Sequence, residues 1–304
     1  LPTSTPAMYG SWTISLSPAR TNSIERPSLP TRPNAWQGRD QDGWTFHLYR
    51  LRSQHAGFDG DLFVGAHAGS TCIWALIASY VGPQDGEDFG IAVRYIAGYG
   101  DRSIAEHAFA LLMSAPRGLS QMDREMRSGT WSAFEGEELR GKTLGIVGTG
   151  AVGAELCRIA AGFGMNCIAW NRSSVFSSLS CKEVPLKQVF RDADAVSLHI
   201  AFSDTMNKMV GAPFLQLMKP GAILVNTARG SVVDDVALVE ALKTGPLRHA
   251  ALDVYTVEPL ESGSPLRSMQ NVTLPAHAAW KTPDATDRLM KRGLEILQGD
   301  IASL

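Results

Sequence analysis

Cysteine is scarce in this chain: Cys72, Cys157, Cys167 and Cys181 are the only four in 304 residues, with no CxxC pair. That pattern excludes a disulfide scaffold and reads as buried thiols in a reducing compartment. No metal is expected. An excess of charge is also missing. The 28 Lys+Arg against 30 Asp+Glu leave a net charge of −2 and a pI near 6.4, so neither nucleic acid nor an anionic membrane is an expected partner. Residues 62–84 lack Asp, Glu, Lys and Arg, but GAHAGST interrupts them. Only about ten apolar-rich positions remain, from Ile73 to Gly82, too few to cross a bilayer. The opening LPTSTPAMYGSWTISLSPAR has no basic start or apolar core, so no secretory leader is expected and the cytoplasm is the default location.

Hydrophobic residues at 44% and charged residues at 19% describe a globular chain, long enough for two domains. Glycine is over-used, at 29 residues, and seven of these fall between Gly141 and Gly164. The backbone is expected to do something special there.

Ser103 and Glu106, three apart before an apolar run, predict a capping box opening a helix to about Met113, continuing towards Arg127. From Lys142 short apolar runs alternate with helical patterns. The predicted strands are TLGIV (143–147), NCIAW (166–170), AVSLH (195–199), AILVNT (222–227), HAALDV (249–254) and NVTL (271–274). Helices are expected over 151–163, after Pro185, near 213–218, over 235–243 and from Asp284 to about Leu297. Continuously apolar strands separated by helices predict an α/β fold, a doubly wound parallel sheet covered on both faces.

Between the first strand and helix of this series lies GTGAVG, in which Gly148, Gly150 and Gly153 fit G-x-G-x-x-G. The glycines allow a tight turn, close approach of a pyrophosphate, and close packing of helix on sheet. The helix N-terminus supplies free N–H groups and a positive dipole end. An NAD site usually carries Asp or Glu about 20 residues on, bonding the ribose 2′-hydroxyl. Here the strand ends Trp170-Asn171-Arg172-Ser173, without an acid but with a guanidinium and a hydroxyl. The expected cofactor is NADP, with NAD as the second option.

Ligands of open parallel sheets bind beyond the carboxyl ends of the strands. Four unusual polar residues fall there: Arg229 in NTARG, Asp253 in HAALDV, Glu258 in the following loop, and His277 in LPAHAAW. The other six histidines (47, 55, 67, 107, 199 and 249) are read as structural. Beside a nicotinamide, such a set supports proton-coupled hydride transfer. A histidine moves the proton, a carboxylate fixes its tautomer, and a guanidinium fork takes a substrate carboxylate.

GTGAVG, VNTARGSVVD, ALDVYTVEP and NVTLPAH, in this order, together with SIAEHAFALLMSAPRG, resemble the D-isomer-specific 2-hydroxyacid dehydrogenase family from about Gly90 to Leu297. The resemblance implies a Rossmann domain (102–283) inserted in a flavodoxin-like α/β substrate domain (1–101, completed by 284–304), and a homodimer. It implies an enzyme acting on a small 2-keto or 2-hydroxy acid, with glyoxylate and hydroxypyruvate reductases as its nearest types. It makes His277 the acid/base, Glu258 its partner and Arg229 the substrate anchor. Asp253 and the backbone near Thr227 would hold the nicotinamide amide, while Ala151 and Val152 would lie on the pyrophosphate. Tyr80, Val81 and Gly82 would form the loop that binds the substrate carboxylate. The chain departs from the family pattern at His199-Ile200-Ala201, at Met206 and at Ala276. A dinucleotide-sensing module without turnover, as in the related co-repressors, is the competing expectation.

Overall fold

The computed structural model describes the backbone of five strands between Trp36 and Arg94, and then residues 96–302 except 176, 177 and 202. The chain divides into two units, residues 1–96 and 97–304.

In the first unit, β1 (Trp36–Arg39), β2 (Thr45–Arg52), β3 (Asp59–His67), β4 (Ser70–Ala75) and β5 (Val93–Arg94) pair in that order. The first three pairings are antiparallel and only β4 with β5 is parallel. These strands therefore run mostly antiparallel. The reason is connection length: β3 ends at His67 and β4 begins at Ser70, and so short a link joins only antiparallel neighbours. The expected substrate loop at Tyr80, Val81 and Gly82 lies outside the described residues.

The second unit begins with helices α1 (Asp101–Ser114) and α2 (Leu119–Arg127). The strands that follow are β6 (Thr143–Val147), β7 (Asn166–Trp170), β8 (Lys182–Glu183), β9 (Ala195–Leu198), β10 (Ala222–Asn226), β11 (Leu247–Leu252) and β12 (Val272–Thr273). They form one sheet in the order β12-β11-β10-β9-β6-β7-β8, and every pairing is parallel. The order reverses between β6 and β9, which opens a crevice at their carboxyl ends. This is the expected Rossmann sheet.

Alternation along each strand divides the core in two. Leu144, Ile146, Ala195, Ile223, Val225 and Ala251 face α1 and α3 (Ala151–Gly162). Val147, Val196, Leu198, Leu224, Ala250 and Leu252 face the other way, onto α4 (Leu186–Asp192), α5 (Ala212–Leu215) and α6 (Asp235–Lys243). Burial on both faces explains why these strands read as unbroken apolar runs.

Helix α7 spans Pro283–Ala302, somewhat longer than predicted. Among the described residues no helix is long and apolar enough to cross a membrane. One local expectation fails. Helix α1 starts at Asp101 after Gly100, with no side-chain cap. Ser103 lies inside its first turn, and its hydroxyl pairs with Thr282 Oγ1 at 2.8 Å instead of capping. Asp101 places a carboxylate in that turn, where the helix dipole favours it. Several strands stop one or two residues before the predicted ends, so that His199, Thr227 and Asp253 belong to the loops beyond them.

Candidate active site

The turn after β6 opens with Gly148 at φ +96°, a left-handed conformation that favours glycine. A side chain there would collide with the backbone oxygen of His199, which follows β9. The two loops flanking the sheet's reversal point therefore touch. Gly153 is tighter still: a β-carbon would stand 2.0 Å from the Gly148 oxygen, so α3 can approach the turn only without one. Gly150 differs, since nothing lies within 4 Å of the space its side chain would take. It is exposed, as is Ala151 at the start of α3, and Val152 is half-buried behind them.

The hydroxyl of Thr149, in a residue with no exposed surface, has no hydrogen-bond partner among the described residues. An open space at a helix N-terminus beside an unsatisfied hydroxyl fits a pyrophosphate. Asn171 closes the nucleotide side, accepting from the Thr149 N–H at 3.3 Å and donating to Ser173 Oγ at 2.9 Å. Arg172 between them is exposed and forms no ion pair among the described residues.

At the other end, three loops lock onto one another. After β10, Asn226 is almost fully buried, accepts from the Ala228 N–H at 3.0 Å and donates to the Arg229 carbonyl at 2.9 Å. This braces the turn presenting Arg229. The next residue, Gly230, packs directly on Tyr255, where a β-carbon would fall 1.9 Å from the Tyr255 carbonyl carbon. The Tyr255 N–H in turn donates to Glu258 Oε1 at 2.9 Å. Glu258 Oε2 receives His277 Nδ1 at 2.7 Å. Arg229, Glu258 and His277 thus belong to one connected constellation.

Half-buried Arg229 has one internal hydrogen bond, from Nη1 to the Ala228 carbonyl at 2.7 Å, and no carboxylate partner among the described residues. Its charge reaches Tyr99, whose phenol burial raises and Arg229 pulls back down, with a net rise. The Tyr99 ring meets Trp280 edge-on at 5.8 Å, so Trp280 is half-buried in an aromatic pair.

Asp253 has no exposed surface, and its carboxylate accepts from the Ala278 N–H at 3.0 Å and the Ala279 N–H at 2.9 Å. It therefore ties down the histidine loop from an enclosed position. Thr227 is buried, with Oγ1 3.5 Å from His199 Nδ1. Burial lowers His199 to about 4, so this ring is neutral near pH 7.

Sequence reasoning passed over three residues in this region. Asn226 and Thr149 stand inside motifs singled out for their neighbours, and His107 was read as structural.

Parallel sheet, glycine turn and strand-end polar residues define a dinucleotide-binding Rossmann domain with a histidine–carboxylate pair. Residues 109–279, more than half the chain, match the model of the D-isomer specific 2-hydroxyacid dehydrogenase NAD binding domain. The chain belongs to this family. A curated glyoxylate reductase of Korarchaeum cryptofilum is 39% identical over 217 residues, 68% of this chain and 65% of that protein. The chain thus spans slightly under two thirds of that relative. Among solved structures, a glyoxylate reductase from Paecilomyes thermophila is 30% identical with a TM-score of 0.68, covering 73% of this chain and 69% of its own. An acyclic imino acid reductase in complex with NADPH and D-Arg is 31% identical with a TM-score of 0.68, covering 74% and 73%.

Proposed function

We propose that this protein is an oxidoreductase that transfers a hydride between NADP(H) and a small 2-keto or 2-hydroxy acid of the D series. The observation that carries this is the 2.7 Å pair between His277 Nδ1 and Glu258 Oε2, which leaves Nε2 without a partner among the described residues. Bound NADPH would supply two electrons and one hydrogen to the carbonyl carbon. The chain's own part is the proton. Glu258 accepts from Nδ1–H, fixes the tautomer and stabilises the cation, so that Nε2–H can protonate the carbonyl oxygen. In the reverse direction the neutral ring takes that proton back. Arg229, lacking an internal anion, is available to the substrate carboxylate and to the charge developing on the oxygen. The imino acid reductase among the structural relatives makes a 2-imino acid the natural second substrate class.

Support for NADP over NAD is the absence of a carboxylate at the end of β7 and the unpaired Arg172 beside Ser173, free for a 2′-phosphate. The test is a panel of 2-keto acids, including glyoxylate and hydroxypyruvate, run with NADPH and NADH on wild type, His277→Ala and Arg172→Ala. Wild type is expected to oxidise NADPH, and His277→Ala to lose about 10²- to 10⁴-fold in kcat. Arg172→Ala should lower the NADPH/NADH ratio of kcat/KM. NADPH binding without turnover of any acid would overturn the enzymatic reading in favour of a sensing module.

A further inference from the structure

His277 is one of two non-glycine residues in the described chain with a left-handed backbone, at φ +50°. That conformation is strained for a residue with a β-carbon and persists only where its surroundings impose it. Asp253 imposes it. Its backbone carbonyl accepts the His277 N–H at 2.9 Å, and its carboxylate accepts the next two amides. One residue therefore fixes three successive N–H groups of the loop that carries the acid/base.

Beside that carboxylate stands His107, a half-buried residue of α1 next to the buried Ala108. Its Nε2 lies 3.4 Å from Asp253 Oδ1, within ion-pair reach, and this buried atom makes no hydrogen bond among the described residues. Burial pushes the Asp253 carboxyl up, but His107 and the two amides outweigh it and hold the group below the usual carboxylate range. An ionised, enclosed carboxylate needs every donor it has.

We infer that His107 is a positioning residue of the proposed reaction: it holds the Asp253 carboxylate, which holds residues 277–279, and so aims Nε2 of His277. The inference rests on the proposed function. A core histidine serving only to fill volume would be replaceable by phenylalanine, whereas a donor to Asp253 would not.

The experiment compares wild type, His107→Phe and His107→Gln by steady-state kinetics, NADPH affinity, melting temperature and amide deuterium exchange of a 272–283 peptide. His107→Phe is expected to lose about 10- to 100-fold in kcat, the scale of a small misplacement of a catalytic group. Its KM for NADPH and its melting temperature should stay near wild type, while exchange at 278 and 279 accelerates. His107→Gln restores a donor and should recover at least tenfold of any larger loss, with slower exchange. Unchanged kcat and exchange in His107→Phe would overturn the inference. So would losses that track the melting temperature and are not relieved by Gln. Exchange is readable without turnover, so an inactive wild type defeats the proposed function while the loop measurement still decides His107.

Discussion

At the ends of β6 and β7 the chain makes room, whereas at the ends of β10, β11 and β12 it fills space with polar side chains. The glycine turn works through what is missing. Gly153 lets α3 meet the Gly148 oxygen, and Gly150 leaves a volume open over the helix N-terminus. Beyond β10 to β12, buried Asn226 and Asp253 tie loop amides in place so that Arg229 and His277 are presented from braced backbone. The first region should therefore fail when atoms are added, the second when they are removed.

Adding one carbon is the harsher test. Gly153→Ala would force a β-carbon against backbone that cannot give, and overpacking of this kind costs about 1–3 kcal/mol. It should lower the melting temperature and abolish measurable NADPH binding together. Gly150→Ala is the matched control, because its β-carbon meets nothing within 4 Å. It should fold as wild type and lose affinity only if a pyrophosphate occupies that space. Titration of NADPH fluorescence alongside thermal unfolding reads both. Equal behaviour of the two variants would erase the distinction drawn for the first region.

Removing atoms from the second region should separate chemistry from cofactor binding. Asn226→Ala deletes one acceptor and one donor from the Arg229 turn, leaving the Ala228 N–H and Arg229 carbonyl to find other partners. An orphaned buried group costs about 1–3 kcal/mol. The expected result is a fall of about tenfold or more in kcat/KM for the 2-keto acid, with the NADPH dissociation constant unchanged. A fall in NADPH affinity of the same size would show that the two regions are not independent.

This contrast also explains what could be read from the sequence. Space-making leaves a local signature, because glycines at fixed offsets after a strand are needed there, and GTGAVG was legible once a predicted strand and helix flanked it. Arg229, Glu258 and His277 were legible as chemically conspicuous residues at successive strand ends. What holds them was not. The tie from Asp253 to residues 278 and 279 spans 25 and 26 positions, and the approach of His107 to Asp253 links a helix before the sheet to the loop after β11. Such pairings depend on tertiary register, which no spacing rule encodes. Thus the hold of Asp253 on residues 278 and 279 went unread, although Asp253 itself was singled out. Likewise, Ser103 and Glu106 fit a capping box locally, yet Thr282, at 179 positions' remove, takes the serine hydroxyl. The N-terminal unit shows the same limit in its sheet. Its antiparallel strand pairing follows from short connections between segments that no motif marks.

The smallest expected effect concerns pH, and it again divides the two regions. No titratable side chain lies within GTGAVG, but the second region sits over His249, which is buried on β11 and bonded to Thr273 Oγ1 at 2.9 Å. Burial, with the nearby Arg124 and Arg248 charges, lowers this histidine from 6.5 to about 4. Between those values the unfolded chain binds a proton that the folded chain refuses, so stability falls as pH drops through that window and is fully regained above it. At about 1.4 kcal/mol per unit, acidification from pH 7 to 5 should cost about 2 kcal/mol through this group. His199, also lowered to about 4, acts in the same direction, so His249→Gln should remove only part of the acid loss. Thermal unfolding of wild type and variant at pH 7 and 5 measures that share. If the variant loses as much as wild type, His249 is already protonated in the folded chain, and the ground beneath β11 and β12 is wetter than its packing indicates.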